Sequence, residues 1–187
     1  NNIPKYKGVF SIDTYKYSVA KYALNNGFKM INDIYAGRYE KGRIFELAYD
    51  FNIPIVLVHM RANPLNMQKN ITYNSIIRDI LDFFKRRIQK AKGYGIPDKN
   101  IIIDPGIGFG KSSKDNFIIL KNIDKFKKLG YKVLIGLSRK AFLFEKGDSP
   151  KDRLPATIAM NAVSVMNGAD ILRVHDVCES IQIRNVL

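Results

Sequence analysis

Long apolar runs are absent from this sequence. No stretch approaches the roughly 20 consecutive apolar residues a membrane-spanning helix needs, so a membrane span is excluded and no membrane partner is expected. The opening segment, residues 1–10, lacks the apolar core of a signal peptide. It also lacks an initiator Met, so a piece of a longer chain is expected. Cysteine is almost missing: Cys178 stands alone among 187 residues. That rules out an intrachain disulfide and suits a reducing, cytoplasmic setting. Only two histidines occur, His59 and His175, so no zinc tetrad can be assembled and no Ser-His-Asp order stands out. Internal repeats and low-complexity linkers are missing too. Acidic side chains are scarce, 17 against 31 basic ones, for a net charge of +14. The excess is spread along the chain, and its densest cluster, Lys85, Arg86, Arg87, Lys90 and Lys92, falls in an amphipathic stretch. It reads as a solvated basic face; helix-turn-helix, zinc and aromatic RNA-binding signatures are all lacking, so no nucleic-acid partner is expected. A positive field favours anionic substrates.

What is present is an alternation. Val9–Ile12, Met30–Ile34, Ile55–Val58, Ile101–Ile103, Val133–Leu137 and Ile171–Val174 read as short strands. Helical stripes follow each: Val19–Leu24, Ile44–Phe51, Ile76–Ile88, Ile119–Phe126, a helix expected to begin near Ser149-Pro150-Lys151-Asp152, and Cys178–Leu187. Pro155 sits awkwardly in the fifth, which should therefore start later or bend. Six strand-then-helix units argue an α/β fold with a parallel sheet, doubly wound or barrel. A complete eight-unit barrel takes about 250 residues, so this chain would be six-eighths of one.

Each strand ends in polar groups: Asp13-Thr14, Asn32-Asp33, His59-Met60, Asp104-Pro105, Ser138-Arg139-Lys140 and Arg173-Val174-His175-Asp176. Singly, such residues are commonly helix caps. On a parallel barrel all six runs would meet at the rim where these folds place their sites. Asp104 to Ser112 invites a phosphate-loop reading, but Pro105 stands where the first Gly is required. The dinucleotide fingerprint fails as well, because its third Gly falls on Lys111. A tight loop after a strand remains. His59 reads equally as a packing residue or a site residue, and Cys178 as an inert helix residue.

Taken together, these residues resemble dihydropteroate synthase. Ser11-Ile12-Asp13-Thr14-Tyr15, Ile31-Asn32-Asp33-Ile34, Val58-His59-Met60 with Asn63-Pro64 and Met67-Gln68, Asp104 to Lys111, Ser138-Arg139-Lys140 and Arg173 to Val177 occur in that family's order and at its spacing. The resemblance runs from Val9 to the C-terminus. It implies a TIM (β/α)8 barrel with six of its βα units present, as one pterin-binding domain over residues 1–187. It also implies condensation of 6-hydroxymethyl-7,8-dihydropterin pyrophosphate with p-aminobenzoate to 7,8-dihydropteroate and pyrophosphate, in folate synthesis, by a sulfonamide target. The family's first two strands and their loops have no counterpart here, and Ala62 replaces a frequent Gly. Those absent loops carry the Asn for the Mg2+ cofactor, so no metal ligand is expected in this chain, and the fragment alone should be inactive and aggregation-prone.

By the same resemblance, Asp104, Asn32, Asp13 and Lys140 bind the pterin, with Met60 and Phe109 against its ring. Ser138 holds the p-aminobenzoate carboxylate. Arg173 and His175 form the pyrophosphate pocket, and Lys140, Arg173 and His175 are the catalytic set. A homodimer is expected, and some members are fused upstream to a pterin pyrophosphokinase. The nearest rival is a pterin-binding methyltransferase domain of the same fold, which would not need the anion pocket.

Overall fold

The structure, a computed structural model, describes residues 8–61, 73–144 and 149–187. Ala62, Asn63, Pro64, Met67 and Gln68 lie outside them. Six strands form one sheet: β1 (Ser11–Asp13), β2 (Met30–Asp33), β3 (Ile55–Val58), β4 (Ile101–Asp104), β5 (Lys132–Ile135) and β6 (Ile171–Leu172). Their order in the sheet is their order in the chain, and every pairing is parallel. Helices α1 (Tyr17–Asn25), α2 (Ile44–Asp50), α3 (Ile76–Gly93), α4 (Ser113–Lys121), α5 (Ile123–Lys127), α6 (Leu154–Met166), α7 (Val177–Ile181) and α8 (Ile183–Val186) complete it. Six parallel strands, each followed by helix, are the expected six βα units.

Strand alternation divides the core in two. Register places Ile31, Ile55 and Ile101 side by side, and likewise Leu57, Ile103 and Val133. These belong to the large cluster that the helices cover, with Phe45, Phe84 and Phe126 fully buried in it. Each such side chain contributes about 1.5–3 kcal/mol. The alternate residues Val56, Val58, Ile102 and Leu134 form a separate, smaller cluster on the other face, joined by Met30, Ile34, Phe109 and Ile171. Both faces are apolar, as a parallel sheet requires. Asn32 is in register with Val56, and Asp104 with Val58, so both project from this inner face.

Several expected boundaries shift. Pairing of β1 begins at Ser11 opposite Met30, and Val9 lies outside it, 68% exposed. β6 is two residues long, although the Arg173 N–H still reaches the Ile135 carbonyl (2.9 Å). The fifth predicted helix begins at Leu154, so Pro155 falls in its first turn, where no backbone donor is needed. Ser149–Asp152 is instead a turn, closed by the Asp152 N–H on the Ser149 carbonyl (3.1 Å) and the Ser149 N–H on the Asp152 carboxylate (3.0 Å). The fourth and sixth predicted helices are each split in two. Arg87 departs from the solvated basic face: it is half-buried and donates to the Ala36 (2.7 Å) and Gly37 (3.0 Å) carbonyls. Among the described residues, no helix is long and apolar enough to cross a membrane.

Candidate active site at the strand ends

Asp104 closes β4 and is 2% exposed. Its Oδ1 accepts the Gly106 N–H at 2.7 Å. Burial pushes the carboxyl above its ordinary range; the Gly106 N–H and then the charges of Lys140, Arg173 and Lys111 work against that push. Asn32, one strand beyond β3 on the same face, is 4% exposed, and neither its Nδ2 nor its Oδ1 has a hydrogen-bond partner. A buried polar group left unpaired costs about 1–3 kcal/mol, so this amide is set for something that supplies both an acceptor and a donor.

Lys140 follows β5. Its Nζ donates to the Ile107 carbonyl and sits 4.6 Å from the centroid of the Phe109 ring. Burial lowers its ammonium to about 8, with Asp104 opposing and Arg173 adding to the shift. Asp13, Gly136, Ser138, Lys140, Arg173 and His175 all line one cavity of about 360 Å³. At its rim Arg173 pairs with Asp13 (2.9 Å), both substantially exposed. Gly136 keeps the Arg173 side chain in place, since a Cβ there would lie 3.3 Å from its Nε. Ser138 Oγ accepts the His175 N–H (3.2 Å) and lies 2.9 Å from His175 Nδ1. A hydroxyl has one hydrogen and two lone pairs, so the Ser138–His175 pair is satisfied with either ring tautomer of His175. Asn32 and Asp104 are buried on the inner face of the sheet, and Lys140 and Arg173, which line the cavity, act electrostatically on Asp104.

Met60 is fully buried and does not line this cavity; it borders a larger one, about 730 Å³, with Arg38, Arg86 and Phe83 among others. Asp104, Lys140 and Arg173 are not among the residues that line that larger space. His59 takes its packing role: it meets Phe83 edge-on (4.8 Å), and burial first, then Lys111, holds its pKa well below the usual range. Gly110-Lys111-Ser112 leads into α4 through a reciprocal cap between Ser112 and Asp115. Cys178 is free and exposed on α7.

Two residues escaped a role at the sequence level. Asp33 accepts the Tyr35 (2.8 Å) and Gly37 (2.6 Å) N–H groups, and burial raises it to about 6. It shapes the turn after β2. Arg139 adopts φ +55°, and its guanidinium grips both oxygens of Asp176, with Nε at 2.9 Å. Its N–H bonds Thr157 Oγ1 (3.1 Å) and its carbonyl accepts from Arg153 (2.9 Å). The visible signal was a charged residue of each sign inside the two strand-end motifs. Among the described residues, no three His, Cys, Asp or Glu side chains gather.

The sequence profile of a family described as pterin binding enzyme matches residues 2–175. A Synechocystis dihydropteroate synthase is 39% identical over 178 residues, covering 94% of this chain and 61% of the relative. One from Streptococcus pyogenes is 41% identical over 175 residues, 92% of this chain and 63% of the relative. This chain therefore spans less than two thirds of those relatives' length. Among solved structures, a Yersinia pestis dihydropteroate synthase in complex with a sulfonamide drug superposes with a TM-score of 0.91 at 31% identity, over 97% of this chain and 66% of that one. A Xanthomonas albilineans dihydropteroate synthase bound to 7,8-dihydropteroate gives 0.86 at 34%, over 95% and 65%.

Proposed function

Because this chain belongs to the pterin binding enzyme family, we propose that it is part of a dihydropteroate synthase. The whole enzyme joins 6-hydroxymethyl-7,8-dihydropterin pyrophosphate to p-aminobenzoate and releases 7,8-dihydropteroate and pyrophosphate. The observation that carries this reading is the buried, unpartnered Asn32 amide on the same face as Asp104. The pterin edge presents adjacent N–H donors beside ring acceptors. Asp104 accepts the donors, and Asn32 matches the mixed positions. Phe109 supplies an apolar wall below Lys140, and Asp13 a second acid near the ring; Met60 borders the other cavity and is not assigned to the ring.

Arg173, Lys140 and His175 stabilise charge on the departing pyrophosphate. The methylene–oxygen bond breaks with its electron pair leaving on pyrophosphate. The aniline nitrogen then forms the new carbon–nitrogen bond and loses a proton. Ser138 orients the p-aminobenzoate carboxylate. No protein nucleophile takes part, so catalysis is positioning and electrostatics. The cationic rim favours this reading over a pterin methyltransferase, which has no pyrophosphate to hold.

For the whole protein we propose Mg2+ with its ligand supplied from outside this chain, a single pterin-binding domain over residues 1–187, a cytoplasmic setting, and upstream fusion to a pterin pyrophosphokinase. A homodimer is supported by exposed apolar side chains on the last helices: Met166 (71%), Val177 (60%) and Val186 (79%). The test is dihydropteroate formation by the natural-length protein from both substrates. Wild type should turn over, and Asn32→Ala should lose pterin affinity. Pterin binding without product would return the reading to the methyltransferase class.

A further inference from the structure

We infer that Lys111 is a positioning residue for the pterin site: it ties the loop 105–110 to the end of β3 and so sets Asp104, Phe109 and Lys140. The inference rests on the synthase reading above. Lys111 is 5% exposed. Its Nζ lies 2.8 Å from the Gly106 carbonyl, 3.1 Å from that of Phe109, 3.3 Å from that of His59 and 3.0 Å from His59 Nδ1. Burial lowers this amine to about 7, and three carbonyls and an imidazole nitrogen surround it, more partners than its two or three hydrogens can serve. None is left for a substrate, so Lys111 acts through the groups it holds.

Those groups lead to the site. Gly106, whose carbonyl Lys111 binds, turns its N–H onto Asp104 Oδ1. Phe109, also held by its carbonyl, places its ring under the Lys140 ammonium. Ile107, between them, offers its carbonyl to Lys140 Nζ. The loop is anchored on β3 by the same carbonyl that Lys111 bonds: a Cβ on Gly106 would lie 2.0 Å from the His59 oxygen. The His59 N–H closes the strut on the Asp104 carbonyl at 2.8 Å. A solvated lysine would need none of these partners. A buried ammonium without them would cost several kcal/mol.

The experiment compares wild type, Lys111→Met and Lys111→Gln in the natural-length protein. Pterin affinity is read by calorimetry, p-aminobenzoate KM by turnover, and folding by thermal melting. Lys111→Met should weaken pterin binding about 10-fold or more, since misplacement by ~1 Å costs on the order of 10²-fold in catalysis. It should leave p-aminobenzoate KM within about twofold, a split that general loosening would not produce. Lys111→Gln, which keeps two donors, should fall between. A folded Lys111→Met with wild-type pterin affinity overturns the inference. If neither variant folds, amine acylation of wild type decides: Lys111 should stay unlabelled with or without pterin, while pterin alone shields Lys140. Labelling of Lys111 at the rate of surface lysines overturns it. A wild type that binds pterin yet makes no product fails the synthase reading instead, and leaves the pterin-affinity comparison intact.

Discussion

Lys140 carries a charge that neutral pH barely secures. Its ammonium is lowered to about 8 by burial, and free lysine titrates near 10.5. The unfolded chain therefore binds more protons between about 8 and 10.5, so folding gains stability as pH rises through that window and carries the full cost below it. Binding runs the opposite way: affinity for the pterin pyrophosphate should fall as pH climbs past about 8, and Lys140→Arg should flatten that limb. A wild-type profile flat to pH 10 would separate Lys140 from the anion. At Asp104, replacement by Asn should weaken pterin binding by about 1.5–3 kcal/mol, the range for a charged hydrogen bond, read by titration calorimetry. Asp104, Asn32, Ser138, Lys140, Arg173 and His175 were legible because each lies at or just beyond the end of an apolar strand run. Hidden from the sequence was what each side chain already holds. Nothing in the order of residues distinguishes the unpartnered Asn32 from Asp33, which spends both its oxygens on a turn.

The loop after β4 makes its prediction at the next scale. Gly106 has φ +69° and no room for a Cβ, so Gly106→Ala should destabilise by about 1–3 kcal/mol from backbone strain alone, with the clash adding more. Denaturant midpoints would show it, and an unchanged midpoint would mean that the loop can move off β3. Arg139, just after β5, is held in place by Thr157, Asp176 and Arg153. Asp176→Ala should release that residue from its left-handed conformation and raise p-aminobenzoate KM through the loosened Ser138–His175 pair. Strands were legible as apolar runs between turn signals. Their ends were not, because an end is set by whether a neighbour is present to pair. Val9 has strand chemistry and no partner. Pro155 misled for a related reason: its meaning depends on which helical position it occupies, and a shift of a few residues turns an obstacle into a good starter.

Counting six βα units was possible from periodicity alone, and the register follows the count. What joins the edges of the sheet was not readable, because it depends on curvature. Among the described residues β1 pairs only with β2, and β6 only with β5. Open parallel edges are adhesive. The 187-residue chain produced alone should elute as aggregate and make no dihydropteroate. Co-expression with the remaining third of a relative should recover a discrete species; a monodisperse, active 187-residue protein would defeat the expectation.

The Arg173–Asp13 contact spans the mouth of the sheet between positions 160 residues apart. Closing a loop of that length costs roughly 4–5 kcal/mol in chain entropy, whereas an exposed ion pair returns about 0–1 kcal/mol. The pair cannot draw the first and last strands toward each other. Neighbour must pair with neighbour first, each new strand docking on the one made before it, so assembly can keep pace with synthesis from the ribosome. The cavity that Asp13 and Arg173 line together, which needs β1 and β6 at once, then forms only after the strands between them have paired.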